Sequence, residues 1–192
     1  MADTTYSARP AEEADRAFIR EMFVLTETWG EPDGELPENF DDDMDRYVEG
    51  WEPAEGGVVL VEVPGAGEGA RPERRSGEAP PGDADAARVG AAWLRRLTDD
   101  DPGYGYVADE YPELAIAVRA GREGRGLGSR LLAEVLRQAR ELGYPGISLS
   151  VENGNDRARR AYEKAGFEDL GPDDLGGHTM LYRFDGEAEG DG

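Results

Sequence analysis

The chain has 192 residues, with 21 Lys plus Arg against 43 Asp plus Glu, which leaves a formal charge of −22 with its single histidine neutral. Cysteine is absent, which excludes disulfide frameworks, thiol nucleophiles and Cys-ligated zinc or iron–sulfur centres, and one histidine cannot build a multi-His metal site. So acidic a surface repels nucleic-acid phosphates and anionic lipid, no apolar run reaches the ~20 residues of a bilayer span, and the N-terminus lacks the segments of a signal peptide.

The expectation is therefore a cytoplasmic protein that binds neither nucleic acid nor membrane. At roughly 150 residues per domain, the length predicts a single domain over 1–192. Tyr6 to Pro10 reads as a short extended segment, after which Phe18, Ile19, Met22 and Phe23 repeat with helical spacing and predict a helix over about 11–28. Two prolines and Gly34 make Glu31 to Pro37 a loop, and a second, shorter helix carries Phe40, Met44, Tyr47, Val48 and Trp51. Asp41, Asp42, Asp43 and Asp45 crowd its start, where carboxylates suit the positive end of the helix dipole better than a divalent metal. Gly57 to Val63 and Arg88 to Leu94 read as strands. Between Val63 and Val89 there is no Val, Ile, Leu, Met or aromatic residue, so 64–88 is expected to be a mobile hairpin loop, and the acidic tail 186–192 to be disordered.

Leu114 to Arg119 is a further strand, and a glycine-rich turn from Gly121 to Gly128 opens a helix bearing Leu127, Leu131, Leu132, Val135, Leu136, Ala139 and Leu142, which Gly143 stops. Ile147, Leu149 and Val151 alternate with Ser148 and Ser150 as a strand with one buried face. Ala158, Ala161, Tyr162 and Ala165 form the stripe of another helix with Gly166 past its end, and Phe167 to Leu170 and Thr179 to Phe184 close the chain as strands. The order βααβββαβαββ is that of a mixed α/β layer structure.

Chemistry concentrates where a strand runs through Arg122-Glu123-Gly124-Arg125-Gly126-Leu127-Gly128-Ser129 into a helix. Glycines let the backbone approach an anion, and the first helical N–H groups, unpaired within the helix, point at it along the positive dipole. Arg119, Arg122, Arg125 and Arg130 add local positive charge. The turn is not G-x-x-x-x-G-K-[ST], which disfavours a P-loop nucleotidase, and a standard dinucleotide fold is disfavoured too. Downstream, Asn155 and Tyr162 are about two helical turns apart and share one face.

Glu113 to Val118, Glu123 to Gly128, Ile147 to Val151 and Asn155 to Phe167 together resemble the GCN5-related N-acetyltransferase (GNAT) family. The resemblance implies an α/β fold: a mixed, mostly antiparallel sheet of about six to seven strands flanked by about four helices, with a splayed central strand pair. It implies an acyltransferase that moves an acetyl group from acetyl-CoA to a primary amine by direct attack in a ternary complex. Acetyl-CoA would lie in the splay, its pantetheine arm on the backbone of Ile116, Ala117 and Val118 and its pyrophosphate on the turn from Arg122 to Ser129. Glu123 stands where the family's turn usually begins with Gln or Arg, and Arg122 is the cation that would substitute. Asn155 and Tyr162 complete the implied cofactor contacts.

An alkylamine with a pKa of about 10.4 carries its proton at pH 7 by roughly 3.4 units, about 4.6 kcal/mol, so a base is needed. Glu113 is the implied base, acting through water, with Asp109, Glu110 and Glu152 as rivals, and Tyr162 is the implied acid for the departing thiolate. Trp29, Tyr47, Trp51, Tyr104 and Tyr106 come from regions that wall the acceptor side, of which Trp29 and Tyr106 are the candidate substrate contacts. The acceptor remains open between a small amine, a peptide N-terminus and a lysine. The alternatives are a non-catalytic CoA-binding sensor or partner-binding module of the same fold and, further off, a serine hydrolase using His178, against which the missing G-x-S-x-G argues. Pairing through the last strands, as in many relatives, makes a homodimer the implied assembly.

Overall fold

The computed structural model describes residues 5–28, 30, 31, 33–63, 87–122, 124–173 and 176–184. Trp29, Glu123, nearly all of the 64–88 segment and the acidic tail lie outside the described residues. The elements are β1 (Thr5–Pro10), α1 (Arg16–Glu27), α2 (Phe40–Met44), β2 (Gly57–Val63), β3 (Arg88–Arg95), β4 (Glu113–Val118), α3 (Leu127–Glu141), β5 (Gly146–Glu152), α4 (Asp156–Ala165), β6 (Glu168–Pro172) and β7 (Gly177–Arg183). The seven strands form one sheet in the order β1-β2-β3-β4-β5-β7-β6. Every neighbouring pair is antiparallel except β4 and β5, which are parallel and meet only at Glu113 and Ser148. This is the mixed, mostly antiparallel sheet with four flanking helices and a splayed central pair that the motifs implied.

Alternation along the strands divides the core between the two faces. On one face Leu131, Val135 and Ala139 of α3 pack against Leu60, Leu94, Leu114 and Leu149, with the Tyr162 face of α4 beside them. On the other, Phe18, Ile19, Met22 and Phe23 of α1 pack with Tyr47, Trp51, Val59 and Trp93. The helix expected over 11–28 is a turn of 3₁₀ helix at Glu13–Asp15 followed by α1. Its entry is fixed by Asp15, 1% exposed, which accepts two hydrogen bonds from Arg9 of β1 and one from Arg88 of β3.

The second helix departs further from its sequence pattern. Five α-helical residues give way to one π-helical turn, Asp45–Glu49, a rare geometry often found at functional sites. Asp41, Asp42 and Asp43 occupy the first turn of the helix as expected, and Asp41, Asp42 and Asp45 are exposed, but Asp43 lies on the apolar stripe and is 1% exposed. Trp51, 0% exposed with its indole N–H on the Gly56 carbonyl, is core and does not wall an acceptor site.

Candidate active site

The site is built around β4, whose two edges have different partners. The Arg119 N–H reaches back to Val89 on the β3 side, while the Pro112 carbonyl accepts the Ser148 N–H on the β5 side. Strand alternation then sends the N–H and C=O groups of Ile116 and Val118 toward β5. Beyond Glu113 no β5 residue pairs with them, so this edge is open to an extended ligand arm. Ala117, between them, faces β3 and is 9% exposed.

Past β4 the chain turns through Gly124 and Gly126, both left-handed with φ of 75° and 74°, and enters α3. Gly126 caps α3 without a side-chain hydrogen bond, which leaves the first amides, at Leu127, Gly128 and Ser129, pointing out of the helix. A Cβ placed on Gly124, Gly126 or Gly128 would meet nothing within 4 Å, so this end of the helix is open. Three of the four arginines around it are engaged: Arg119 makes two hydrogen bonds to Glu21, Arg122 pairs with Glu62 at 2.6 Å and Arg125 donates to the Tyr6 hydroxyl, while Arg130 is exposed. The sequence expectation that Arg122 replaces the family's polar residue meets a side chain already committed to β2.

Glu113 is not the solvated strand-end carboxylate that its position alone suggests. It is 4% exposed and lies on the α1 face of the sheet. Tyr47, in the π-helical turn, donates its hydroxyl proton to Glu113 Oε1 at 2.7 Å, and the Gly105 N–H donates to the same oxygen at 2.9 Å. Oε2 has no hydrogen-bond partner among the described residues, and neither has the buried Ser148 hydroxyl on the facing strand. Burial pushes the Glu113 carboxyl up to about 7, with Asp43 adding to the rise and Tyr47, Gly105 and Arg46 opposing it.

The β3–β4 connection covers this carboxylate. A Cβ on Gly103 would lie 2.2 Å from Oε2, and one on Gly105 would lie 2.3 and 2.4 Å from backbone atoms of Leu149 and Ser150. Tyr104, between the two glycines, stacks on Tyr47 at 6.3 Å and donates its hydroxyl proton to Asp43 at 2.7 Å. Asp43 also receives Asn39 at 2.6 Å and Arg46 at 2.9 Å. Burial, with the Asp43 and Glu152 charges, raises the half-buried Glu27 carboxyl at the end of α1 to about 7. Sequence reasoning missed Asp43 and Glu27. The signal for Asp43 was present, since it falls on the helical stripe of Phe40, Met44 and Tyr47, where a carboxylate is out of pattern.

On the opposite face, desolvation raises the Tyr162 phenol of α4 to about 12, so it holds its proton at neutral pH. Asn155 caps α4, its side-chain oxygen accepting the Ala158 N–H at 3.2 Å. The hydrogen bonds to Glu113 come from Tyr47 and Gly105 and from none of the remaining candidates among the described residues. Tyr106 donates to Asp109 at 2.6 Å, Asp109, Glu110 and Glu152 are exposed, and His178 pairs with Asp169 at 3.1 Å on the α4 face of β7.

Residues 18–167 match the acetyltransferase (GNAT) family. Mycothiol acetyltransferases of Corynebacterium aurimucosum and Beutenbergia cavernae are each 36% identical to this chain, over 79 and 85 residues respectively. These stretches are 41% and 44% of this chain but 24% and 26% of the relatives, so the chain spans about a quarter of the length of the curated relatives it matches. Among solved structures, YncA of Salmonella typhimurium with acetyl-CoA superposes with a TM-score of 0.59 at 20% identity, covering 97% of this chain and 98% of that one. A GNAT family acetyltransferase of Brucella melitensis in complex with acetyl-CoA gives 0.54 at 18% identity, over 95% and 90%. At these identities the likeness to the solved structures is one of fold.

Proposed function

Since the chain belongs to the acetyltransferase (GNAT) family, we propose that it transfers the acetyl group of acetyl-CoA to a primary amine by direct attack in a ternary complex. The observation that carries this reading is a buried carboxyl, raised to about 7 and with one unpartnered oxygen, at the point from which β4 and β5 diverge. A base near neutrality is what removing an ammonium proton at physiological pH requires.

The residues present fit acetyl-CoA. Ile116 and Val118 turn their polar backbone groups into the gap, and the open amides of Leu127, Gly128 and Ser129 suit a pyrophosphate approached mainly by backbone in so acidic a protein. Bound there, acetyl-CoA supplies a thioester carbonyl as electrophile. Glu113 takes the proton of the incoming ammonium through water admitted when the β3–β4 connection over Oε2 gives way, which frees the nitrogen lone pair to form the new C–N bond. The Val118 N–H, facing the gap, stabilises the carbonyl oxygen as it gains charge. When the C–S bond breaks, Tyr162 gives its proton to the thiolate and recovers one from solvent, while the nitrogen sheds its surplus proton to water to become the amide and Glu113 returns the first proton to solvent.

Exposed Glu152 and, above about pH 7, Glu27 add negative charge on the acceptor side, which suits an acceptor that arrives as a cation. The choice between a small amine, a peptide N-terminus and a lysine is a matter for a substrate panel. The test is calorimetric titration of acetyl-CoA followed by thiol release across that panel, with Glu113→Gln and Tyr162→Phe as variants. Binding in all three proteins, with kcat reduced about 100-fold or more in the first variant and about 10- to 100-fold in the second, is expected. Binding with no amine-dependent release in the unmodified protein would instead mark a CoA sensor.

A further inference from the structure

We infer that Tyr47 is a positioning residue for Glu113, dictating which carboxylate oxygen accepts the proton and the pH at which it does so. The inference rests on the reading of Glu113 as the base and adds to it a residue 66 positions away in sequence.

The two oxygens of Glu113 have different surroundings. Oε1 accepts from the Tyr47 hydroxyl at 2.7 Å and from the Gly105 N–H at 2.9 Å, while Oε2 has no partner among the described residues. A proton arriving at Glu113 finds Oε1 already engaged by two donors and goes to Oε2. The direction of the Tyr47 hydroxyl is itself fixed, because its oxygen accepts the Tyr104 N–H at 3.0 Å. With that acceptor position filled, the phenolic proton points at Glu113. The ring is held between Phe23 at 5.7 Å and Tyr104 at 6.3 Å, and Tyr47 is 4% exposed. Burial and the Glu113 charge raise the phenol well above its ordinary value, so it remains a donor wherever the carboxylate is ionised.

A hydrogen bond to the ionised form favours that form, so Tyr47 holds down a carboxyl that burial drives up. Arg95 lies directly opposite on β3 but sends its guanidinium to the Arg46 carbonyl and to Glu55; of the other charges, Arg46 acts in the same direction as Tyr47 and Asp43 acts against it. Neither touches the carboxylate, and both are paired elsewhere, with each other and with Asp101 or Tyr104.

The experiment is a kcat/KM profile from pH 5.5 to 9.5 for the unmodified protein, Tyr47→Phe and Glu113→Gln, with acetyl-CoA and an amine accepted by the unmodified protein. Phe keeps the ring stacking and removes only the hydroxyl. The expected result is a rising limb displaced to higher pH in Tyr47→Phe by about one unit, roughly a tenfold loss near pH 6 that is recovered near pH 9. A uniform loss at every pH with an unmoved limb means a merely structural role and overturns the inference. Full activity in Glu113→Gln overturns the reading of the base itself, a different result. A second measurement does not depend on the variant folding. In the unmodified protein, the carbon-13 resonance of Tyr47 Cζ should titrate with the same midpoint as Glu113 Cδ, and a Tyr47 resonance that stays fixed while Glu113 ionises contradicts the coupling.

Discussion

Glu113 is costly to the fold in the charge state that catalysis would use. An unfolded carboxyl titrates near 4.5 and the folded one at about 7, so the native state holds its proton to higher pH than the unfolded chain. Stability from this group is therefore fully present below about pH 4.5 and lost as pH rises toward 7, a loss of about 3 kcal/mol when complete. Gln at this position has no proton to lose. Between pH 4.5 and 8 the unmodified protein should lose about 3 kcal/mol of unfolding free energy relative to Glu113→Gln, read from denaturant melts at the two pH values. Equal pH dependence in both proteins would mean that the carboxyl is not desolvated as described. Glu27 titrates in the same window in both proteins and cancels from the comparison.

Gly103 and Gly105 give the β3–β4 connection its path over the active face. With no Cβ, Gly105 lies directly on the β5 backbone and delivers its N–H to Glu113, which no other residue type permits there. Gly105→Ala should lower the denaturation midpoint by the equivalent of about 2 kcal/mol or more and also displace the pH profile, since a methyl group forces the strap off both β5 and the carboxylate. An unaffected midpoint would show the strap to be loosely seated. This element also marks where sequence reading stops. Leu127, Leu131, Val135 and Ala139 announced α3, and Ile147, Leu149 and Val151 announced β5, because their burial follows the period of the element. Glu113 could be singled out through the motif beginning at it. Its partners could not, because Tyr47 reads as one more apolar-stripe residue and Gly105 as loop punctuation, and their convergence depends on tertiary contacts across 66 and 8 positions. The π-helical turn that aims Tyr47 likewise has no periodic signature in so short a helix.

The whole molecule carries −22, and its ion pairs use arginine, which supplies 20 of the 21 basic residues. Among the described residues no helix is long and apolar enough to cross a membrane. Self-repulsion at this charge opposes compaction and is screened over about 10 Å at 0.1 M salt. The thermal midpoint should therefore rise as sodium chloride increases from about 0.05 to 1 M, and a falling midpoint would mean that the Arg9–Asp15–Arg88 and Arg46–Asp43 pairs outweigh the repulsion.

The sheet gap, the open end of α3, buried Glu113 and protonated Tyr162 are tied together by the transfer chemistry proposed for them. The measurement that reaches it most directly is amine-dependent release of CoA thiol from acetyl-CoA, followed as kcat/KM against pH. The account predicts release that requires a primary amine and rises with a midpoint at about 7, set by Glu113. A protein that binds acetyl-CoA but releases no thiol with any primary amine, or releases it independently of pH across that range, would contradict it.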